Sequence, residues 1–161
     1  MNSAEFEPES VLIVGCGDIG RRVAAQWQSV PVTGLVRSAT SIEQLQQVGI
    51  TPILADLDDP VSLQDLPVAN ALVYYFAPPP ASGTTDPRMG RFLAAMDPKR
   101  LPARIVYIST SGVYGDRGGD LVNENTPPNP QVDRARRRYD AEQQLRHFGQ
   151  EHGVAAVSYT H

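Results

Sequence analysis

Apolar and polar positions along this chain switch between two periods. Val11-Leu-Ile-Val14 is a short β-branched apolar run, the pattern of a buried strand. From Ile19 the apolar residues Val23, Ala24 and Trp27 recur at helical spacing and predict a helix reaching about Gln28. Val30–Val36 reads as a second strand, and Ser41–Val48 as a short helix with Ser41 as its cap. Gly49 ends that helix. Ile50–Ala55 is a third strand, which Pro52 confines to an edge or an early position. Ser62–Leu66 offers one helical turn. Ala71–Ala77 is a strongly apolar fourth strand, stopped by Pro78, Pro79 and Pro80.

The second half repeats the alternation. Asp86–Met96 predicts a helix with Pro87 in its first turn, where proline is tolerated. Arg104–Ser109 is a fifth strand. Thr110–Pro130 is irregular and too long for a plain connector, which makes it a candidate functional loop. Gln131–His152 reads as one long helix closed by Gly153, and Val154–Val157 opens a sixth strand. Strands alternating with helices imply a parallel sheet covered on both faces, and right-handed crossovers make it doubly wound. Val154–Val157 should continue as a buried strand, yet Ser158-Tyr-Thr-His161 turns polar. Either the strand is short, or the chain is a fragment or the product of an altered reading frame; we expect the latter.

Size and charge narrow the choice. The 161 residues suit one domain, 1–161. A net charge of −4 offers no basic field for nucleic acid, although arginines cluster locally from Arg134 to Arg138. Cys16 is the single cysteine, so an internal disulfide framework and a cysteine-rich zinc site are excluded. His147, His152 and His161 form no metal-site pattern. No apolar run is long enough to span a bilayer, and the acidic start Met1–Pro8 is unlike a signal peptide. The cytoplasm is the default compartment.

The first strand runs straight into Gly15-Cys-Gly17-Asp18-Ile19-Gly20. This is G-x-G-x-x-G between a strand and a helix, the context the dinucleotide fingerprint requires. Gly15 permits the turn, Gly17 lets backbone approach a diphosphate, and Gly20 lets helix and strand pack closely. The helix start, with Asp18 and Ile19, then offers free N–H groups to the phosphates. The fold class is therefore α/β, a Rossmann-type doubly wound parallel sheet of about six strands.

The second strand ends in Val36-Arg37-Ser38, where an NAD binder usually carries an acidic residue for the adenosine ribose. A guanidinium can hold a 2′-phosphate through paired hydrogen bonds. We therefore expect NADP, with NAD the second choice; a solvated loop arginine is the plainer alternative. After the third strand, Asp56 suits the adenine amino group and Leu57 the ring, or else Asp56 caps the turn at Asp58, Asp59 and Pro60. Small Ala77 and Pro78 after the fourth strand leave room for the cofactor's centre, or simply terminate the strand. Arg21 and Arg22 are expected to decorate the exposed face of the first helix.

Ile108-Ser-Thr110-Ser111-Gly-Val113-Tyr114-Gly115-Asp116 resembles the strand-five motif of extended short-chain dehydrogenases/reductases, the NAD(P)-dependent epimerase/dehydratase group. Glu124-x-Thr126-Pro127-x-x-Pro130 is similar to that group's next motif, and the resemblance extends over essentially the whole chain. It implies that Thr110 is the catalytic hydroxyl, with Ser109 and Ser111 as neighbours able to substitute; hydroxyls that only satisfy the strand end are the plainer possibility. It also implies a Tyr-x-x-x-Lys pair on the long helix. Aligned from Pro130, those places hold Arg134 and Arg138, and Glu142 falls where the family often has a glutamate.

Arg134 cannot replace a proton-shuttling tyrosine. Deprotonating it near neutral pH costs roughly 7–9 kcal/mol, whereas general acid–base catalysis is worth about 3–5 kcal/mol. Arg138 keeps the expected charge and donors. Tyr139 points away on the helix, and Tyr114 is the nearer spare phenol. Arg136 and Arg137 read as a solvated face paired with Asp133, Asp140 and Glu142. The resemblance implies an NADP-dependent oxidoreductase or epimerase-like enzyme acting on an unidentified small molecule, with its substrate-capping C-terminal segment missing and this chain inactive. The alternative is a non-catalytic NADP(H)-sensing module acting through a protein partner. It also implies a homodimer through helices 86–96 and 131–152, with Tyr139 and Leu145 as contacts.

Overall fold

The structure is a computed structural model that describes residues 6–160. Residues 1–5 of the acidic start and His161 lie outside them. Six strands form one sheet: β1 (Val11–Val14), β2 (Val32–Val36), β3 (Thr51–Leu54), β4 (Leu72–Tyr75), β5 (Arg104–Ile108) and β6 (Ala155–Tyr159). Every pairing is parallel, in the order β3-β2-β1-β4-β5-β6. The helices are α1 (Asp18–Ala24), α2 (Ala39–Gln47), α3 (Pro87–Ala94) and α4 (Asp133–His152). The chain winds outward from β1 to β3, then returns to β4 beside β1. The reversal opens a crevice at the carboxyl ends of the strands.

β1 lies at the centre and is buried on both faces, which is why its run is continuously apolar. Leu12 and Val14 join a core under α3 and α4 with Tyr75, Tyr107, Met89, Phe92, Ala141 and Leu145. Val11 and Ile13 face the other way, towards Ala24 of α1 and Leu45 of α2. Alternate side chains of one strand thus tie two layers of helices to one sheet. Among the described residues no helix is long and apolar enough to cross a membrane.

Several expectations shift. α1 ends at Ala24, although Trp27 still packs against the core. α2 starts at Ala39, so Ser38, not Ser41, is its cap; Ser38 Oγ accepts the Ser41 N–H at 3.2 Å. The turn expected at Ser62–Leu66 is a 3₁₀ helix at Pro60–Leu63, capped by Asp59. Pro52 does lie on an edge strand, β3. β6 does not stop at Val157. Ser158 and Tyr159 remain in register with Tyr107 and Ile108, because β6 is the opposite edge and a mostly exposed strand does not require apolar residues.

Candidate functional site

The bend after β1 is fixed by contact with the segment that follows β4. Gly15 has φ +82°, and a Cβ there would lie 2.6 Å from the Ala77 amide nitrogen. Gly20 faces Ile13 and Cys16, and a Cβ would come within 3.0 Å of Ile13 Cγ2. Both glycines are therefore demanded by the protein itself. Gly17 differs. Its φ is −83°, no atom of the described residues other than its chain neighbours lies within 4 Å of the position its Cβ would take, and it caps α1 without a side-chain bond. Asp18 and Ile19, in the first turn of α1, are exposed, as an anion cradle requires. Asp18 would repel a diphosphate, but Arg22 holds its carboxylate at 3.0 Å and Arg21 stands 3.9 Å away. Arg21 also donates to Gln44, so of the pair only Arg22 is mainly exposed.

A cleft of about 610 Å³ opens over this bend. It brings together all eleven residues expected to hold a cofactor: Gly15, Gly17, Asp18, Ile19, Gly20, Arg37, Ser38, Asp56, Leu57, Ala77 and Pro78. Ser38 lines it while its hydroxyl caps α2. Asp56 lines it too, and its Oδ1 accepts the Asp58 N–H at 2.9 Å, so the turn-capping role is present. Cys16 forms part of the floor; burial pushes its thiol up to about 11, against a smaller opposing pull from Arg21.

Sequence reasoning missed Arg88. It enters the cleft from the first turn of α3, placed by Asp86, whose Oδ1 accepts the Arg88 and Met89 N–H groups. The Asp-Pro start of α3 was the only sequence signal near it. Arg88 grips Asp58 at 2.6 Å and donates to the Pro78 carbonyl at 3.1 Å. The Arg88 hydrogen bond holds the Asp58 carboxyl below the usual carboxylate range, assisted by the charges of Arg88, Arg91 and Arg37 and opposed by partial burial.

Thr110, Arg134 and Arg138 are not in the lining of this cleft. They lie farther along, beyond the carboxyl end of β5. Thr110 Oγ1 accepts the Gly112 N–H at 3.3 Å and caps a 3₁₀ turn at Ser111–Tyr114. Arg138 donates to the Ile108 carbonyl at 2.8 Å and to the Tyr107 hydroxyl at 3.4 Å. Arg134 is exposed in the first turn of α4. Ser109, beside Thr110, is buried near Glu142; burial raises the Glu142 carboxyl above its usual range, against smaller pulls from Ser109 and Arg146. Tyr114 lines a separate groove of about 400 Å³ between α4 and β6, so it does not face the first cleft.

Two further expectations fail on α4. Arg136 does pair with Asp133 at 2.7 Å, but Arg137 is buried and donates to the Gly83 carbonyl at 2.7 Å. It anchors the loop before α3 instead of decorating a solvated face. Leu145 is 1% exposed inside the core and is unavailable to a partner chain. Leu145 belongs with Ala135, Ala141 and Phe148 to the buried apolar positions of α4, and Arg137 is buried among them.

Sheet order, glycine bend and cleft together define a dinucleotide-binding α/β domain. A family model described as NAD(P)H-binding matches residues 15–154, and the chain belongs to that family. No curated protein matches in sequence. Among solved structures it is similar to UDP-glucuronic acid 4-epimerase from Bacillus cereus in complex with NAD, at 20% identity and TM-score 0.72, over 94% of this chain and 56% of that one. The UDP-glucose 4-epimerase of Thermotoga maritima with UDP-glucose gives 18%, 0.76, 94% and 54%. A functionally unknown conserved protein from Silicibacter pomeroyi gives 24%, 0.76, 94% and 51%. These likenesses establish the fold, and the chain spans about half the length of each.

Proposed function

We propose that this chain is the cofactor-binding portion of an atypical extended short-chain dehydrogenase/reductase that prefers NADP to NAD. The observation that carries the reading is the placement of Arg37 in the same cleft as the Gly15–Gly20 bend. Backbone at Gly17, Asp18, Ile19 and Gly20 would hold the diphosphate, Arg37 with Ser38 the 2′-phosphate, and Asp56 with Leu57 the adenine. Ala77 and Pro78 would leave room for the centre of the cofactor. Bound there, the cofactor supplies a nicotinamide that exchanges hydride with a substrate carbon.

In the longer protein, Thr110 would hydrogen-bond a substrate oxygen. Arg138, pinned to β5, keeps positive charge beside it. Arg134 would attract an anionic group of the substrate, since it cannot transfer a proton near neutral pH. The half-buried stretch of α4 around Tyr139 is the surface we assign to self-association.

The test is titration with NADPH and NADH. Wild type is expected to favour NADPH, and Arg37→Gln to weaken NADPH about tenfold or more, the value of a lost charge-assisted pair, while leaving NADH nearly unchanged. Equal affinity for both nucleotides, unmoved by the substitution, would remove the NADP preference. The longer form is then assayed with NADPH and a panel of carbonyl compounds. Turnover abolished by Thr110→Ala supports the enzyme; cofactor binding without turnover leaves a sensing module.

A further inference from the structure

The geometry points to Arg88 as a second cation for the bound dinucleotide, one that grips the diphosphate while Arg37 grips the far phosphate. The inference rests on the reading of the cleft just given. Arg88 is not part of the glycine fingerprint and lies on a different layer of the fold, yet it lines the same cleft beside Ala77 and Pro78. Those residues follow β4, the strand next to β1, so Arg88 and Gly17 line one cleft from different elements.

Its guanidinium is already oriented. Nε donates to both carboxylate oxygens of Asp58 at 3.0 and 3.2 Å, Nη2 to Asp58 Oδ2 at 2.6 Å, and Nη1 to the Pro78 carbonyl at 3.1 Å. These bonds occupy one N–H on each nitrogen. A guanidinium carries five, so one N–H on Nη1 and one on Nη2 remain to donate to a phosphate. The side chain is 18% exposed, so little freedom is lost on binding. Arg91 also reaches Asp58 Oδ1, at 3.2 Å, from outside the cleft lining. Two arginines share this one carboxylate. Asp58 is thus a positioning residue: it fixes the plane of the Arg88 fork and joins the loop after β3 to α3.

Arg91 provides the control. It shares the Asp58 carboxylate but does not line the cleft. The 161-residue chain is titrated calorimetrically with ADP-ribose, which carries the diphosphate, and with adenosine 2′-monophosphate, which does not. Arg88→Gln is expected to weaken ADP-ribose about tenfold and to leave the 2′-monophosphate within about twofold. Arg88→Lys, which keeps the charge and loses the fork, is expected to fall between. Arg91→Gln is expected to bind both ligands like wild type. Melting curves of the unliganded variants establish that each is folded. Wild-type affinity for ADP-ribose in Arg88→Gln overturns the inference, as does an equal loss for Arg91→Gln, which would make the whole cluster merely a wall. A wild-type chain that binds neither probe overturns the reading of the cleft itself, and this inference with it.

Discussion

Gly15 and Gly17 stand two residues apart in one motif, yet the structure predicts opposite consequences for the same added methyl group. At Gly15 an alanine must adopt φ +82°, which costs about 1–2 kcal/mol for an L-residue. Its Cβ would also lie 2.6 and 2.7 Å from backbone atoms of Ala77, which cannot rotate away. Overpacking of that kind costs about 1–3 kcal/mol, and the sum is about 2–5 kcal/mol. For a chain of this length, Gly15→Ala should therefore lower Tm by roughly 4–20 °C. At Gly17 the new Cβ meets no atom of the described residues beyond its chain neighbours within 4 Å, and φ is −83°. Stability should move by less than about 1 kcal/mol. In the proposed complex the methyl instead fills the space through which a diphosphate would reach the α1 amides, and losing one charge-assisted bond there costs about 1.5–3 kcal/mol. Gly17→Ala should melt like wild type and bind NADPH about tenfold or more weakly. Thermal melting and fluorescence titration on the same samples check both. A Gly17→Ala protein that loses as much Tm as Gly15→Ala, or binds NADPH like wild type, would refute the assignment of this glycine to a ligand.

Glu142 carries a pH-dependent prediction. Burial raises its carboxyl, so the folded chain holds this proton to higher pH than the unfolded chain; the stability it contributes is full below the ordinary carboxylate range and is lost as pH rises through the raised value. Glu142→Gln should therefore raise Tm at about pH 7 and have no such effect near pH 3; an equal shift at both pH values would contradict it. Thr110→Ala should cost about 0.5–1 kcal/mol by uncapping the turn at Ser111–Tyr114, with Thr110→Ser restoring it. Melting curves that do not separate the three would show that the hydroxyl caps nothing.

What the sequence determined by itself is local. Periodicity placed all six strands and the four helices within a few residues, because burial of one stripe or one face repeats at short range. The glycine motif was legible for the same reason: strand, bend and helix start are contiguous, and eleven residues named from it and from the strand ends do share one cleft. Tertiary structure decided what depends on partners remote in sequence. Arg88 and Asp58 are 30 residues apart, so nothing in either neighbourhood marks the pair. Arg137 looked like its neighbour Arg136, yet a carbonyl 54 residues away draws it into the interior. Leu145 turned inward because the sheet lies beneath α4, and Ser109 because α4 brings Glu142 against it. A residue's chemistry is written in the chain, but its surroundings are set by crossovers that bring distant strand ends to one edge, and only the folded arrangement decides which groups meet there.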